Sequence, residues 1–475
     1  MFHFILLCGG RGERLWPKSR ECYPKQFLIT PTNLSLFQMT LNRINKLITN
    51  NEYLEADITI IGNTSYQHVL EDQISKLILN IPIKLVLEPE GRDSAPAICI
   101  SSLLYNREDY TYILSCDHLL DEIEFEKKML ESITHIEENI IIFGVKPTHP
   151  ETGFGYIKVK DTQTLEFKEK PTHEVATQYL QSGDYLWNSG MFAFKNNLMI
   201  QCFETFQPEM ITLCKLALQN KTKKVITLTD DFKRCTKISF DYAIMEHVVS
   251  SKDHSININI LTLHFNGQWS DIGNYKAKWE NFPQDENHNV LHGNIQVLNT
   301  TNCYIDSPNH HVSTIGVNNL AIVQTDDALL VSSLDECINV KNVVNALKGT
   351  KNDSLLKEHK LMFRPWGWYK NVEGHDHNGF KMKRIAVYPG KRLSLQSHNN
   401  REEHWVIVKG SGIVQLGQNF IKVKKGNHVH IPVQVLHRVE NTGEELLEFT
   451  ETQIGEYLGE DDIIRYEDDF GRVNK

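Results

Sequence analysis

The sequence lacks several features that would assign a protein to a class at once. Its 475 residues carry a formal net charge of −10, whereas proteins that bind nucleic acid through phosphate usually present a basic surface. No apolar run approaches the roughly 18 residues that a membrane-spanning helix needs. We therefore expect neither a nucleic-acid partner nor a membrane segment, and we predict a cytoplasmic protein.

Cysteine patterns are missing as well. The nine cysteines are odd in number and form no C-x-x-C pair, so they do not indicate a disulfide framework and suit a reducing compartment. Hydrophobic residues make up 40% and charged residues 23% of the chain, which is typical of a globular protein. The absences thus leave an ordinary folded enzyme or binding protein with two or three domains.

Short apolar runs alternate with amphipathic segments up to about residue 145, which predicts crossover units and a doubly wound α/β domain with a mostly parallel sheet. The predicted strands are Phe2–Leu7, Ile58–Ile61, Ile83–Leu87, Tyr112–Leu114 and Ile140–Gly144. The predicted helical segments are Tyr66–Leu79, Pro96–Tyr105, Met199–Gln219 and Val343–Leu361. We expect three domains: an α/β domain over 1–285, a small β-rich bridge over 286–349 and an all-β barrel or jelly roll over 350–475.

A glycine-rich turn follows the first strand, in the segment GGRGERLWPKSRECYPKQF at 9–27. It is neither a Walker loop nor a G-x-G-x-x-G motif, yet bare backbone lets N–H groups approach an anion closely. Glycines and cations suited to a polyphosphate are Gly9, Gly10, Gly12, Arg14, Arg20 and Lys25. Taken alone, the glycines are equally consistent with a structural turn and solvated cations.

Acidic residues in two later segments suit a magnesium ion. Asp117 follows the strand Tyr112–Leu114, and Asp271 lies in WSDIG; carboxylates are the hard oxygen ligands that Mg²⁺ prefers. Glu169 suits sugar hydroxyls, and the adjacent Lys170 suits a phosphate. The alternative for such a Glu-Lys pair is a surface ion pair of small energetic value.

Several of these segments together resemble mannose-1-phosphate guanylyltransferases. The turn is similar to G-G-x-G-x-R-L-x-P-x-S-R…P-K-Q-F, and EPEGRDSAPAI, SCDH, FKEKP, YLWNSGMF, FDYAIMEH and WSDIGNY follow in the family's order. The resemblance implies a sugar nucleotidyltransferase domain of the Rossmann-like, GT-A-like kind. It implies catalytic roles for Arg14 and Lys25, nucleotide binding by Gly9, Gly10, Gly12 and Arg20, sugar-phosphate binding by Gly155, Glu169, Lys170 and Asn188, and Mg²⁺ at Asp117 and Asp271.

The carboxy-terminal segments GKRLSLQSHNNREEHWVIVKG and GNHVHIPVQVLHRVEN resemble the two cupin motifs. Residues two apart on a strand share a face, so Gln396 and His398 can point into one barrel interior, where Glu403 and His437 can join them. This donor set suits Zn²⁺ or another divalent ion such as Co²⁺. An aldose–ketose isomerase needs such a Lewis acid. The histidines of two polar loops, His310, His311, His375 and His377, are interpreted as surface residues.

The fusion of both parts resembles bifunctional mannose-1-phosphate guanylyltransferase/mannose-6-phosphate isomerases. This implies two reactions: GTP plus mannose 1-phosphate gives GDP-mannose and pyrophosphate, and fructose 6-phosphate interconverts with mannose 6-phosphate. The resemblance gives Arg401 a catalytic place in the isomerase, with His404 a weaker candidate for its base. It implies the supply of activated mannose to surface polysaccharide, with a homodimer as an open expectation.

Two alternatives stay open at this point. In one, the chain is only a guanylyltransferase and its cupin domain is a non-catalytic dimerisation or regulatory module. In the other, it is a sugar-phosphate sensor without transfer chemistry. The sequence also departs from the family pattern at Asp93-Ser94, Ser115 and Phe154, and Asp93 adds negative charge near the expected nucleotide pocket.

Overall fold

The computed structural model describes residues 1–10, 12–219, 221–250, 258–374 and 379–469. These residues form two compact units. The first comprises Met1–Thr325 and Leu329–Thr350, and the second comprises Asp326–Ala328 and Lys351–Lys475. We call them the α/β unit and the barrel unit. The three-domain division predicted above, with boundaries at 285 and 349, stays a prediction.

The α/β unit is built on a large sheet with helices packed against it. Its strands up to residue 270 are β1 (Phe2–Cys8), β2 (Ala56–Asn63), β3 (Ile83–Glu88), β4 (Tyr110–Ser115), β5 (Leu119–Leu120), β6 (Asn139–Val145), β7 (Tyr156–Lys160), β8 (Gln163–Lys168), β9 (Tyr185–Lys195), β10 (Val225–Thr227), β11 (Asn259–Phe265) and β12 (Trp269–Ser270). Its helices up to residue 281 are α1 (Leu36–Asn50), α2 (Gln67–Ser75), α3 (Ser94–Leu104), α4 (Glu122–Ile133), α5 (His173–Ser182), α6 (Asn196–Phe206), α7 (Pro208–Ala217), α8 (Glu246–Ser250) and α9 (Tyr275–Asn281).

The sheet is mixed, with strand order β10-β3-β2-β1-β4-β9-β6-β11-β8-β7. Strands β10, β3, β2, β1 and β4 are joined by parallel pairings, and β6 pairs in parallel with β11. The long strand β9 runs antiparallel to both β4 and β6. Because β1, β3 and β4 are parallel, the segments that follow them leave from one edge of the sheet, where α/β proteins bind ligands.

Both faces of this sheet are buried, as the near-continuous apolar strands predict. Ile5 and Ile113 pack in one apolar cluster, whereas Leu6 and Leu114 pack in the other. Alternate residues of a strand point to opposite faces, so helices cover the sheet on each side. The doubly wound α/β prediction is confirmed.

The remainder of the α/β unit is β-rich. It contains β13 (Val290–Leu298), β14 (Tyr304–Ile315), β15 (Leu320–Gln324), β16 (Leu329–Ser333) and α10 (Val340–Leu347). Strands β13, β14 and β15 pair in parallel, and β16 closes the small sheet antiparallel to β15. Stacked parallel strands joined by short connections are typical of a β-helical coil.

The barrel unit consists of two antiparallel sheets. Its elements are α11 (Ser354–Lys357), β17 (Leu361–Arg364), β18 (Gly367–Gly374), β19 (Phe380–Val387), β20 (Leu395–His398), β21 (Arg401–Lys409), β22 (Ser411–Leu416), β23 (Asn419–Lys424), β24 (His428–Ile431), β25 (His437–Glu440), β26 (Leu447–Gly455) and β27 (Ile463–Glu467). The sheet orders are β17-β18-β19-β26-β21-β24 and β23-β22-β25-β20-β27. An apolar cluster that includes Trp405, Val414 and Val439 joins strands of both sheets, which confirms the predicted jelly roll.

Two predicted helical segments are each divided into two helices. The segment Met199–Gln219 is divided into α6 and α7, because Pro208 begins a new helix at its first turn. The segment Val343–Leu361 is divided into α10 and α11, with Gly349 at a positive φ of 71° between them. All nine cysteines are free thiols. Among the described residues, no helix combines the length and apolar character needed to cross a bilayer.

Candidate active sites

The glycine turn after β1 is shaped to receive Lys25. Gly12 has a φ of 63°, a left-handed conformation that glycine adopts without a steric penalty. A Cβ atom at Gly12 would lie 2.4 Å from Cβ of Lys25. Any side chain at this position would therefore push Lys25 away from the turn.

Lys25 joins the two predicted magnesium ligands. Its Nζ lies 2.6 Å from Oδ2 of Asp117 and donates to the backbone carbonyl of Asp271 at 2.5 Å. The short strands β5 and β12 pair antiparallel, with Leu119 opposite Ser270. This pairing brings the residues just before β5 and just after β12 to the same place, so Asp117 and Asp271 converge although 154 positions separate them in the sequence.

Charge at this site is balanced. Burial alone would lower the pKa of Lys25, but Asp117 and Asp271 outweigh burial and raise it. Burial would raise the pKa of Asp117, but the Lys25 ammonium, followed by His118, lowers it. Asp271 accepts the Gly273 N–H through Oδ1 at 3.1 Å. Two converging carboxylates, one of them held in its ionised form, are a donor set that fits Mg²⁺.

The other two cations predicted to bind the nucleotide or act in catalysis, Arg14 and Arg20, lie in different environments. Arg14 is exposed in the 3₁₀ turn Glu13–Leu15. Arg20 is only 2% exposed; its Nε donates to the Pro17 carbonyl at 2.9 Å, and an Nη lies 3.4 Å from Oγ1 of Thr325. These contacts give Arg20 a structural place beside the turn. Nucleotide binding by Arg20 stays a prediction.

The four predicted sugar-phosphate residues form one cluster. A Cβ atom at Gly155 would lie 2.5 Å from Oε2 of Glu169 and 3.3 Å from Cβ of Asn188, so only glycine leaves room there. The Asn188 N–H donates to the Gly155 carbonyl at 2.8 Å. Lys170, half-exposed, holds Oε1 of Glu169 at 2.8 Å. Oε2 of the buried Glu169 has no hydrogen-bond partner among the described residues, so it is available to a ligand.

Sequence reasoning missed two carboxylates beside this cluster. Asp241 accepts from Nδ2 of Asn188 at 2.8 Å, and burial, reinforced by Glu169, raises the pKa of Asp241 to about 7. Glu246 accepts the Glu169 N–H at 3.2 Å. Both residues lie in FDYAIMEH, which was matched to the family as a segment without a role for its acids. That segment was the signal that could have found them.

A third missed carboxylate lies at the carboxyl end of β3. Glu88 is 8% exposed, and burial raises its pKa to about 8. It begins the segment EPEGRDSAPAI, in which Asp93 caps α3 by accepting the Ser94 N–H at 2.8 Å. Because this strand end shares the edge with the glycine turn, Glu88 belongs to the same ligand-binding edge of the sheet.

The barrel unit brings its four predicted ligands together. Nε2 of His398 lies 3.0 Å and Nε2 of His437 lies 3.6 Å from the Glu403 carboxylate. Nε2 of Gln396 lies 3.4 Å from Nε2 of His398. Strands β20 and β25 place Gln396 directly opposite His437. The two histidines and the glutamate are at most 2% exposed, and their ligand atoms all lie within 4.8 Å of one another.

This cluster has unused nitrogen atoms. Nε2 of His437 is buried without a hydrogen-bond partner among the described residues, while Nδ1 of the same ring bonds the Val435 carbonyl at 2.9 Å. A ligating histidine typically has one ring nitrogen fixed by a backbone group and the other aimed at the metal. Burial lowers the pKa of His437, which favours the neutral, metal-binding ring. The residues therefore fit a divalent transition-metal ion.

Several buried polar groups hold Glu403 in place. Nε of Arg401 donates to Oε1 of Glu403 at 3.2 Å, and Nε1 of Trp405 donates to Oε2 at 3.2 Å. Against the effect of burial, the hydrogen bond with His398 and the nearby His437 and Arg401 lower the pKa of Glu403. Arg401 thus lies in the predicted isomerase site. Burial and the nearby Glu403 raise the pKa of Glu451 to about 8.

His404 lies on the opposite face of β21. Glu403 and Trp405 are 1% and 0% exposed, whereas the side chain of His404 is 32% exposed. Alternate residues of a strand point to opposite faces, so His404 points away from the buried cluster. The suggestion that His404 is the isomerase base was wrong. His310 and His311 are exposed as predicted, and His375 and His377 lie outside the described residues.

The fold and the two clusters define a sugar nucleotidyltransferase joined to a cupin-type barrel. Family models match in the same order: nucleotidyl transferase over residues 3–288, mannoseP isomerase/GMP-like beta-helix domain over 293–347, and mannose-6-phosphate isomerase C-terminal domain over 351–468. The chain is 35% identical over 482 residues to a mannose-1-phosphate guanylyltransferase of Salmonella muenchen, covering 98% of this chain and 97% of the relative. A Klebsiella pneumoniae protein of the same name is 36% identical, and the match covers 98% of this chain and 99% of that relative.

A solved structure supports the same assignment. The Thermus thermophilus protein described as mannose-1-phosphate geranyltransferase superimposes with a TM-score of 0.62 and 28% identity. The match covers 73% of this chain and 99% of that protein. The chain belongs to the mannose-1-phosphate guanylyltransferase family, and it is an enzyme of the nucleotidyltransferase class with an isomerase-type domain. The family predicted from the sequence is confirmed.

Proposed function

We propose that the α/β unit transfers a guanylyl group from GTP to mannose 1-phosphate. A phosphate oxygen of the sugar attacks the α-phosphorus in line, the bond from that phosphorus to the bridging oxygen breaks, and pyrophosphate leaves. The observation that carries the proposal is the convergence of Lys25, Asp117 and Asp271 beside the glycine turn. Catalysis of such a step consists largely of positioning and charge neutralisation.

The chain's own residues would divide these tasks. Lys25 carries its positive charge to the place where the phosphates would lie, and the exposed Arg14 can reach a phosphate from the turn. The N–H groups of Gly9, Gly10 and Gly12 are suited to the nucleotide phosphates. Asp117 and Asp271 would hold Mg²⁺, which supplies charge neutralisation at the phosphates when bound. Lys25 would then exchange its Asp117 contact for a phosphate oxygen.

The Gly155 cluster would hold the acceptor sugar. Oε2 of Glu169 is buried without a partner in the described part of the chain, and a carboxylate that lacks a donor is well suited to a sugar hydroxyl. Asn188 is oriented by Asp241. Lys170, half-exposed beside Glu169, would bind the sugar phosphate. Together these groups would present the phosphate to the nucleotide.

The transfer is tested by pyrophosphate release from GTP and mannose 1-phosphate with Mg²⁺ present. We expect Asp271→Asn to reduce the rate of pyrophosphate release by about 10²-fold or more, because a carboxylate that would hold Mg²⁺ at the phosphates is lost. Asp285→Asn, at a capping aspartate of the loop before β13, is the matched control. An Asp271→Asn enzyme with the rate of the control variant would refute the assignment.

We also propose that the barrel unit interconverts fructose 6-phosphate and mannose 6-phosphate. This reaction moves a proton between C1 and C2 of the open-chain sugar while the carbonyl moves the other way. The observation that carries the proposal is the buried His398–Glu403–His437 cluster with an unused nitrogen on His437. A divalent ion held there by Gln396, His398, Glu403 and His437 would polarise the carbonyl. Arg401 would stabilise the negative charge that develops.

The isomerase is tested with chelator-stripped full-length protein, with and without added Zn²⁺, Co²⁺ or Mg²⁺. We expect metal-dependent turnover that His398→Ala abolishes while GDP-mannose synthesis continues. No turnover with any of these ions, in protein that still makes GDP-mannose, would leave the barrel as a binding or dimerisation module.

The proposal also assigns the enzyme to the cytoplasm, because GTP and hexose phosphates are cytoplasmic metabolites. A phosphomannomutase would link its two reactions there. The GDP-mannose would supply polysaccharide synthesis. The homodimer stays a prediction.

A further inference from the structure

A second group of metal-binding side chains lies on the outer face of the barrel unit. On β21, Glu402 and His404 point outward, and the next strand of the sheet, β24, presents His428 and His430 on the same face. The register places His404 directly opposite His430. Side chains that face each other across an antiparallel pair lie about 5 Å apart at Cβ, so the two imidazoles meet without any rearrangement of the backbone.

The ligand atoms of three of these residues already converge. Nε2 of His430 donates to Oε2 of Glu402 at 3.0 Å, and Nε2 of His404 lies 3.6 Å from Oε1 of Glu402. One ligand atom from each of Glu402, His404 and His430 lies within 4.8 Å of the others. Tetrahedral ligands at about 2.0–2.1 Å from a zinc ion lie about 3.4 Å from each other. The two histidine–Glu402 distances, 3.0 and 3.6 Å, lie just below and just above this ligand–ligand separation.

The fourth residue orients the first histidine. Nδ1 of His404 lies 3.1 Å from Nε2 of His428. When His404 donates this hydrogen bond, its proton is on Nδ1, and the lone pair of its Nε2 faces Glu402. A hydrogen bond on the far nitrogen is the arrangement that fixes the tautomer of a metal-ligating histidine. The rings of His404 and His430 stack, with their centroids 4.6 Å apart and their planes at 10°. This stacking restrains the orientation of both rings.

We propose that Glu402, His404 and His430 form a second metal site, for a first-row divalent ion such as Zn²⁺, with His428 as the supporting partner. Two imidazoles and one carboxylate form a donor set typical of zinc with an open coordination position. This site does not depend on the proposed isomerase, because its residues lie on the other face of β21 from Glu403. A bound ion would fasten β21 to β24, and β21 also carries Arg401 and Glu403 on its inner face.

The competing explanation is a set of ordinary surface contacts. The side chains of Glu402, His404 and His430 are 37%, 32% and 44% exposed, and exposed ion pairs contribute little. The two explanations differ in one measurable property. A metal site gives a saturable equivalent of bound Zn²⁺ that depends on these residues, whereas surface ion pairs do not.

The test is a Zn²⁺ titration of chelator-stripped full-length protein against a chromophoric chelator. We expect His430→Gln to bind one equivalent fewer than the wild type, or to bind that equivalent at least about 10-fold more weakly. His310→Gln, at an exposed histidine of the α/β unit, should bind as the wild type does. Because His430 is half-exposed, its replacement should leave the unfolding temperature of the metal-free protein unchanged. Identical stoichiometry and affinity in the wild type and His430→Gln would overturn the proposal.

A second readout separates direct ligation from a general loss of order. The visible absorption of bound Co²⁺ reports the ligands around the ion, so the wild type minus His430→Gln difference spectrum should contain a band from this site. His428→Gln should keep that band and weaken the binding by about 10-fold to 100-fold, as loss of a supporting hydrogen bond does. Equal Co²⁺ spectra for the wild type and His430→Gln would also overturn the proposal.

Discussion

The two buried clusters of this chain balance their charges in opposite ways. In the α/β unit, Lys25 and Asp117 already satisfy each other, and the Asp117 side chain is 22% exposed. In the barrel unit, His398 and Glu403 are at most 2% exposed, and a nitrogen of His437 has no partner among the described residues. The first cluster is a charge pair that the proposed transfer would have to open. The second is a preformed set of donor atoms that fits a divalent ion.

The pKa of a buried carboxyl group also shifts in opposite directions in the two units, depending on whether donors or cations lie beside it. Within the described part of the chain, Glu88 has no cation that offsets its burial, and its pKa rises to about 8. Glu403 is more deeply buried, yet His398, His437 and Arg401 lower its pKa. The contrast shows that the neighbours of a buried carboxylate, more than the depth of its burial, decide its charge.

The largest effect is expected from removing the barrel carboxylate. Glu403→Gln removes the carboxylate that pairs with the buried Arg401 guanidinium, and loss of one partner of a buried pair costs about 3–5 kcal/mol. Glu448→Gln, whose partner Arg384 is half-exposed, should cost less than about 1 kcal/mol. Denaturant unfolding of the full chain, monitored in the barrel transition, measures both. Equal losses would contradict the distinction between the two pairs.

The next effect concerns the charge pair of the α/β unit. Lys25→Gln should slow pyrophosphate release by about 10²- to 10³-fold, because the cation that stabilises the developing charge is lost. Fructose 6-phosphate isomerisation by the same variant should be unchanged. Lys127→Gln, at an exposed lysine of α4, is the control. A Lys25→Gln enzyme with normal transfer kinetics would show that this cation serves the fold alone.

A smaller effect is expected at the acceptor-sugar cluster. In Gly155→Ala the new methyl group would lie 2.5 Å from Oε2 of Glu169 and displace that carboxylate. A misplacement of about 1 Å costs about 10²-fold in rate, and we expect it in kcat/KM for mannose 1-phosphate. In Gly153→Ala the methyl group would meet only the far end of the Glu151 side chain at 3.1 Å, so that variant should retain activity. Equal kinetics for both variants would place the sugar elsewhere.

The last expected effect is a gradual one, a pH dependence of the free energy of unfolding at Glu88. A carboxyl group whose folded pKa is raised from 4.5 to about 8 holds its proton more tightly in the folded state. Its contribution to stability is present below pH 4.5 and is lost as the pH rises towards 8, at up to about 1.4 kcal/mol per pH unit. Glu88→Gln cannot ionise, so its stability should match the wild type at pH 4.5 and exceed it at pH 8. Parallel stability curves across this range would contradict the assignment.

The sequence predicted the barrel cluster more completely than the α/β cluster. Gln396, His398, Glu403 and His437 lie within 42 positions of the sequence. Strand alternation puts Gln396 and His398 on one face, and the cupin motifs add Glu403 and His437, although β21 lies in the other sheet from β20 and β25. Lys25, Asp117 and Asp271 come together because β5 pairs with β12. Each of these strands has only two residues, which is too short to be predicted from the sequence. Only the family resemblance joined those residues beforehand.

Other features were missed for different reasons. His404 follows Glu403 directly, so strand alternation would have placed the two on opposite sides of β21, but the base candidate came from the resemblance alone. The burial of Arg20 depends on Pro17 and Thr325, and the latter lies 305 positions away in the sequence. The Glu169 oxygen that has no partner in the described structure lies beside Gly155, and no local sequence pattern encodes this approach.

The most direct test measures both reactions on two variants of the full-length protein. We predict that Asp271→Asn loses GDP-mannose synthesis and keeps the isomerisation of fructose 6-phosphate, whereas His398→Ala does the reverse. If either variant loses both activities while remaining folded, or retains both, the assignment of one independent active site to each unit is contradicted.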